Sequence, residues 1–171
     1  MANSWRTAYF KQALADYEMF LLLEKTANIP VCHRLHYLQM TPEKLAKGFG
    51  TPLGAKKAHP HTHAEFVQLL RNAKSQSQFH QARGTMSKMQ FDARINGLCP
   101  LAEKIQRLAP DLAGTGPNPE YPWEIPQGIL VPIEFSFTDI DLNANVNPKL
   151  RNLLKFIDIC FDIAKRELGD T

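Results

Sequence analysis

Apolar residues recur along this chain at the three-and-four spacing that marks one buried face of a helix. Phe10, Ala13, Leu14, Tyr17, Phe20 and Leu21 form the first such stripe. Asn3 and Ser4 supply N-cap residue types ahead of it. Asn28 to Pro30 ends this helix, because the residue before a proline is pushed out of the α region. Val31, Leu35, Leu38, Leu45, Ala46 and Phe49 predict a second helix from about Val31 to Gly48. Pro42 either kinks that helix or restarts it, with Thr41 as N-cap. Gly48 to Pro60 reads as a loop punctuated by Gly50, Pro52 and Gly54. Thr62 and Glu65 form a capping box ahead of Phe66, Leu69 and Leu70. After Gly84, Met86, Met89, Leu98, Leu101, Ala102, Ile105 and Leu108 carry another helical pattern, bent at Gly97 and Pro100.

The pattern then changes. Pro110, Pro117, Pro119, Pro122, Pro126 and Pro132 exclude a helix across that stretch. Ile133, Phe135 and Phe137 alternate with Glu134 and Ser136, which predicts a short strand or extended arm. Tyr121, Trp123 and Ile125 give the segment too much apolar area for a free linker. In the last helix Asn147 caps, Pro148 opens and Gly169 closes. Leu150, Leu153, Leu154, Ile157, Phe161, Ala164 and Leu168 make its stripe, widened by Phe156, Ile159 and Ile163. The expected fold is all-α, an antiparallel bundle with a Pro-rich extended strap before the C-terminal helix. One domain covers residues 1–171, with bundle helices in 1–112, the strap in 113–146 and the closing helix in 147–169. At least half of the residues should be helical.

Charge adds one feature. Leu108 to Pro148 holds six carboxylates and no Lys or Arg against a net +3 for the chain, so the remainder carries +9. An acidic strap on a basic body could dock on its own molecule or on a second copy, or the body could attract an anion. Cys32, Cys99 and Cys160 are odd in number and widely spaced, and suggest reduced thiols in a cytoplasmic protein. The longest early apolar run, Met19 to Leu23, is too short to span a bilayer, so no membrane insertion is expected. Cys99 reads as a packing residue.

Candidate chemistry is sparse. His36, Glu43 and Lys47 project to one side of the second helix, with Gln39 and Met40 beside them and His33 and Lys44 flanking. Imidazole beside a carboxylate and an ammonium could do acid–base work. The plainer account is a solvated face with ordinary i,i+4 charge spacing. His59, His61 and His63 alternate, but without a further ligand nearby they do not compose a metal site, and no metal or cofactor is expected. Lys44, Lys47, Lys56 and Lys57, with His63, surround a glycine-bearing loop that could contact phosphate or an RNA backbone. Neither a complete GxGxxG nor a GK[ST] follows, which excludes a nucleotide fold. No nucleophile elbow, zinc-protease or calcium-loop motif occurs.

The run Cys32-His33-Arg34-Leu35-His36-Tyr37-Leu38-Gln39-Met40, followed by Glu43-Lys44-Leu45-Ala46-Lys47, is similar to the second helix of HEPN-type domains. The resemblance covers residues 1 to 112 and the final helix. It implies a small antiparallel helical bundle of the kind met in prokaryotic toxin–antitoxin and antiviral settings. Catalytic members are metal-independent ribonucleases with an Arg, four to six residues, then a His. Here the nearest spacing, Arg71 to His80, has eight residues between, so the motif is absent. The expectation is a non-catalytic interaction module for a protein partner or RNA, forming a homo-oligomer. One alternative is a ribonuclease with an atypical pair drawn from Arg34 or Arg71 with His36, His63 or His80, and Glu43 nearby. The other is a structural oligomerisation protein.

Overall fold

A computed structural model describes residues 4–59, 65–82 and 84–169. Among these, 64% are helical. Helices α1 (Trp5–Lys25) and α2 (Val31–Gly50) form an antiparallel pair. Their direction is set by three cross-links: Arg6 to the Thr51 carbonyl, Asp16 to Lys44 and Glu24 to Arg34. The Ser4 hydroxyl accepts from the Thr7 amide and starts α1 as an N-cap. Helices α3 (Glu65–Ala73), α4 (Ser77–Ala82) and α5 (Lys88–Gln106) follow, then the single turn α6 (Pro110–Ala113). α7 (Pro148–Leu168) packs on α5, α4 and α1 and closes the bundle. It too runs antiparallel to α1, since Tyr17 meets Asp158 and Arg6 meets Glu167.

The core is continuous. Phe10, Phe20, Leu35, Leu45, Phe66, Leu70, Phe79, Ile95, Ile105, Leu150 and Phe156 belong to one buried cluster. α7 is its centre, with Leu150, Leu153, Phe156, Ile157, Cys160, Phe161, Ile163 and Ala164 all buried. Asn147 Oδ1 accepts from the Lys149 and Leu150 amides, and Gly169 takes the left-handed conformation that ends the helix. No helix among the described residues is long and apolar enough to cross a membrane.

Four expectations need correction. α2 runs through Pro42 as one helix, so the restart with Thr41 as N-cap does not occur. The ring removes one helical N–H, while the Thr41 hydroxyl adds a bond to the Tyr37 carbonyl at 2.9 Å. α2 also continues past Gly48 to Gly50, so neither glycine is a loop residue. Gly48 lies against Phe10 of α1, where a Cβ would sit 2.6 Å from Cδ1 of the ring. Close approach of two helices, not a turn, is what demands glycine there. α4 has no counterpart among the expected elements, being six residues long with Phe79 alone buried. Thr62, the proposed cap of α3, lies outside the described residues. By contrast, α5 begins at a complete capping box, Ser87 with Gln90, which sharpens the expected start after Gly84.

The fourth correction concerns the strap. The strands are β1 (Trp123–Ile125) and β2 (Gly128–Leu130), an antiparallel hairpin pairing Trp123 with Leu130 and Ile125 with Gly128. Gly128 has φ +136, a value that side-chain-bearing residues rarely adopt, so the tight turn needs it. Of the short strand or extended arm expected over Ile133 to Phe137, the strand does not form: a 3₁₀ turn (Pro132–Glu134) leads into extended chain. Pro132 at its first position sets φ for such a turn and removes a ladder donor. Phe135 and Phe137 still pack together, edge to face at 4.9 Å. The strap docks through Ile140 and Leu142, which join the core cluster, through Phe137 packed against it and through the 3₁₀ turn on α2; Asn118, Pro119, Trp123 and Pro132 are buried as well. Tyr121, Ile129 and Ile133 remain on its outer face, 59%, 70% and 62% exposed.

Candidate functional site

One polar row lies along α2 and under the strap. His36, Gln39, Glu43 and Lys47 recur at helical spacing, which stacks them on a single stripe. Gln39 Nε2 donates to one oxygen of Glu43 at 2.7 Å, and Lys47 Nζ donates to the other at 2.7 Å. Both charged groups of this pair are buried, Glu43 at 5% and Lys47 at 7% exposure. The solvated face expected here is therefore a sealed one. The 3₁₀ turn contacts α2, and the strap brings Glu120 to within 3.2 Å of His36 Nδ1.

The strap is shaped to make that contact. Asn118 Oδ1 accepts from the Glu120 amide at 3.0 Å and the Tyr121 amide at 2.7 Å. This side-chain-closed turn fixes the backbone that carries Glu120. Trp123 then buries its ring edge to face against Phe135, 5.2 Å between centroids. Asn118 and Glu120 were not among the residues picked out for chemistry. The signal available was the Pro117-Asn118-Pro119 string, which specifies a turn without saying what it faces.

The other candidates are dispersed. Arg34 is held by Glu24 at 3.1 Å and Arg71 by Glu103 at 3.6 Å. The His80 ring nitrogen bonds the Lys74 carbonyl at 2.7 Å, and its ring lies beside Phe91. Each described arginine and histidine proposed for a ribonuclease pair thus lies beside a different residue. The basic loop is likewise divided. Lys44 is bonded to Asp16, which also accepts from Gln12, and Lys47 is spent on Glu43. Lys56 and Lys57 are exposed. His63 and His61 lie outside the described residues. His59 faces Glu65 at 3.1 Å beside Gly50. Among the described residues no group of three His, Cys, Asp or Glu side chains is placed to hold a metal.

Titration behaviour points to structural roles. Burial pushes the Tyr17 hydroxyl far above its ordinary value, and the charge of Asp158 and the bond to it at 3.0 Å add to the shift. Burial likewise raises the thiols of Cys32 and, much further, Cys160. A thiol so suppressed is a poor nucleophile. Cys99 packs against the core with its Sγ 3.5 Å from the Ile95 carbonyl. No protein-family model, curated protein or solved structure matches this chain.

Proposed function

We propose that this chain is a non-catalytic, HEPN-like interaction module whose partner is a second copy of itself, engaged through the strap. The observation that carries this reading is the closure of Glu43, the carboxylate on the one polar face read as a candidate for acid–base work, which is buried with both oxygens accepting from neighbours. Glu43 has two donors, His36 faces Glu120, and Arg34, Arg71 and His80 are each held apart. A general base needs a free lone pair facing substrate, and Glu43 in particular is closed to solvent.

Self-association is favoured by charge and by apolar exposure together. Tyr121, Ile129 and Ile133 stand out from the strap, Ile129 on a hairpin whose strands are each paired on one side only among the described residues, with Tyr121 and Ile133 flanking it. The segment around them carries six carboxylates, and the remaining chain carries +9. A second copy offers the complementary charge. RNA is the weaker partner, since two of the four lysines assigned to it are consumed inside the fold.

Sedimentation velocity tests the reading directly. The wild-type chain should sediment as a dimer at low salt, and Ile129→Ser with Tyr121→Ser should return it to monomer with unchanged helical dichroism. A wild-type monomer at high concentration would overturn it. Cleavage of RNA in the presence of EDTA, abolished by His36→Ala or Arg71→Ala, would replace it with the ribonuclease alternative.

A further inference from the structure

We propose that the cleft between the end of α5 and the strap binds a small molecule that joins a flat apolar ring to a carboxylate, sulfonate or phosphate group. The cleft measures about 320 Å3, within the range of small-ligand sites. Its apolar wall is built by Leu108 with Phe135 and Phe137. These two rings are not loose. Phe135 meets Trp123 edge to face at 5.2 Å and Phe137 at 4.9 Å, so the three aromatics brace one another. Apolar wall area held in place by neighbours costs little further ordering when a ring settles on it.

The polar side of the cleft is cationic. Lys104 and Arg107 both line it, one helical turn apart. Lys104 donates to the Asp139 carbonyl at 3.1 Å, which pins the far wall of the strap to α5. Arg107 has no side-chain partner among the described residues, unlike Arg6, Arg34 and Arg71. Its planar fork matches a two-oxygen anion. Asp139 is the one carboxylate on the lining, and the two cations outnumber it. A ligand with its ring on Phe135 and Phe137 and its anion toward Arg107 would use both halves. This site is separate from the polar row of α2 and does not depend on the self-association proposed above.

Anilinonaphthalene sulfonate has this chemistry and reports its own binding by fluorescence. The experiment uses the full chain carrying Trp5→Phe, which leaves Trp123, in contact with Phe135, as sole tryptophan donor. Binding should saturate at one probe per chain, with energy transfer from Trp123. Arg107→Gln should weaken it about tenfold, the loss of one charge-assisted bond, and Lys104→Gln should weaken it in the same direction. Both positions are exposed, so unchanged helical dichroism is expected. Phenylnaphthylamine, which keeps the rings and lacks the sulfonate, should bind more weakly. Unsaturable binding, binding without energy transfer from Trp123, or affinity indifferent to both substitutions would each overturn the proposal. Equal affinity for the uncharged probe would remove the anion from it and overturn it as stated.

Discussion

Glu120, on the strap, places a carboxylate oxygen 3.2 Å from Nδ1 of His36 on α2. Both side chains keep about a quarter of their surface in solvent, 22% and 29% respectively. Water screens such a pair, and its worth is at most about 1 kcal/mol. Trp123, by contrast, is 7% exposed and meets Phe135 edge to face. Glu120→Ala should therefore leave the strap docked, while Trp123→Ala should cost about 3–5 kcal/mol, as large aromatic truncations do. Chymotrypsin reads the difference at Phe135, which is half-buried against Trp123 and opens to cleavage only when the strap loosens. Fast cutting at Phe135 in Glu120→Ala, with Trp123→Ala resistant, would show that the polar contact is the anchor.

Gly48 offers a test of how closely α1 and α2 approach. In an isolated helix, replacing glycine by alanine stabilises by about 1 kcal/mol. Here the added Cβ would meet the Phe10 ring, which is itself pinned edge to face against Phe49 at 5.0 Å and capped by the Arg6 guanidinium. The ring cannot swing away cheaply, so overpacking at about 1–3 kcal/mol outweighs the propensity gain. Gly48→Ala should lower the urea midpoint, and Gly48→Ala with Phe10→Leu should recover part of the loss. A raised midpoint in the single variant would mean the helices sit further apart.

How far these features could be read from residues depends on the range of the interaction. Asn147, Pro148 and Gly169 announced both ends of α7, because caps act within one turn. The stripe through Phe10, Ala13, Tyr17 and Phe20 announced the buried face of α1 for the same reason. Gly48 was legible as a glycine and not as a helix contact, since Phe10 lies far away in the chain. The face of His36, Glu43 and Lys47 was legible as polar. Its burial at Glu43 and Lys47, and the contact of His36 with Glu120 more than 80 positions later, arise from tertiary packing of which periodicity within α2 carries no trace. Nor could spacing show that Phe135, Phe137 and Arg107 share a cleft.

The Glu43–Lys47 pair makes the burial of that face measurable. Each partner is nearly out of solvent, and Glu43 also holds Gln39. Removing one charge from a buried pair strands the other, at about 3–5 kcal/mol. Lys47→Met should lose stability on that scale in urea unfolding, while Lys47→Arg, which keeps the charge, should lose less. An exposed i,i+4 pair would be worth only about 0.3–0.5 kcal/mol. A loss that small in Lys47→Met would restore a solvated face and return Lys47 to the set available for RNA.

Tyr17 contributes to the alkaline limit, alongside the buried thiol of Cys160. Its hydroxyl is held protonated by burial first, then by the negative charge of Asp158 and the 3.0 Å bond donated to it. The ordinary tyrosine value is 10.0, and in the folded chain the group ionises far above that. Below that ordinary value both states keep the proton, and the stabilisation is fully present. Above it the unfolded chain releases a proton that the folded chain retains, so stability falls as pH rises. Tyr17→Phe should cost about 1 kcal/mol at neutral pH for the lost bond, yet decline less steeply in the alkaline range. Denaturant unfolding at neutral and alkaline pH measures both slopes. Absorbance of the phenolate adds a direct reading, with one of the four tyrosines withheld from titration until the chain unfolds. Equal alkaline slopes in the two proteins would show that Tyr17 titrates freely and that its contact with Asp158 is open to water.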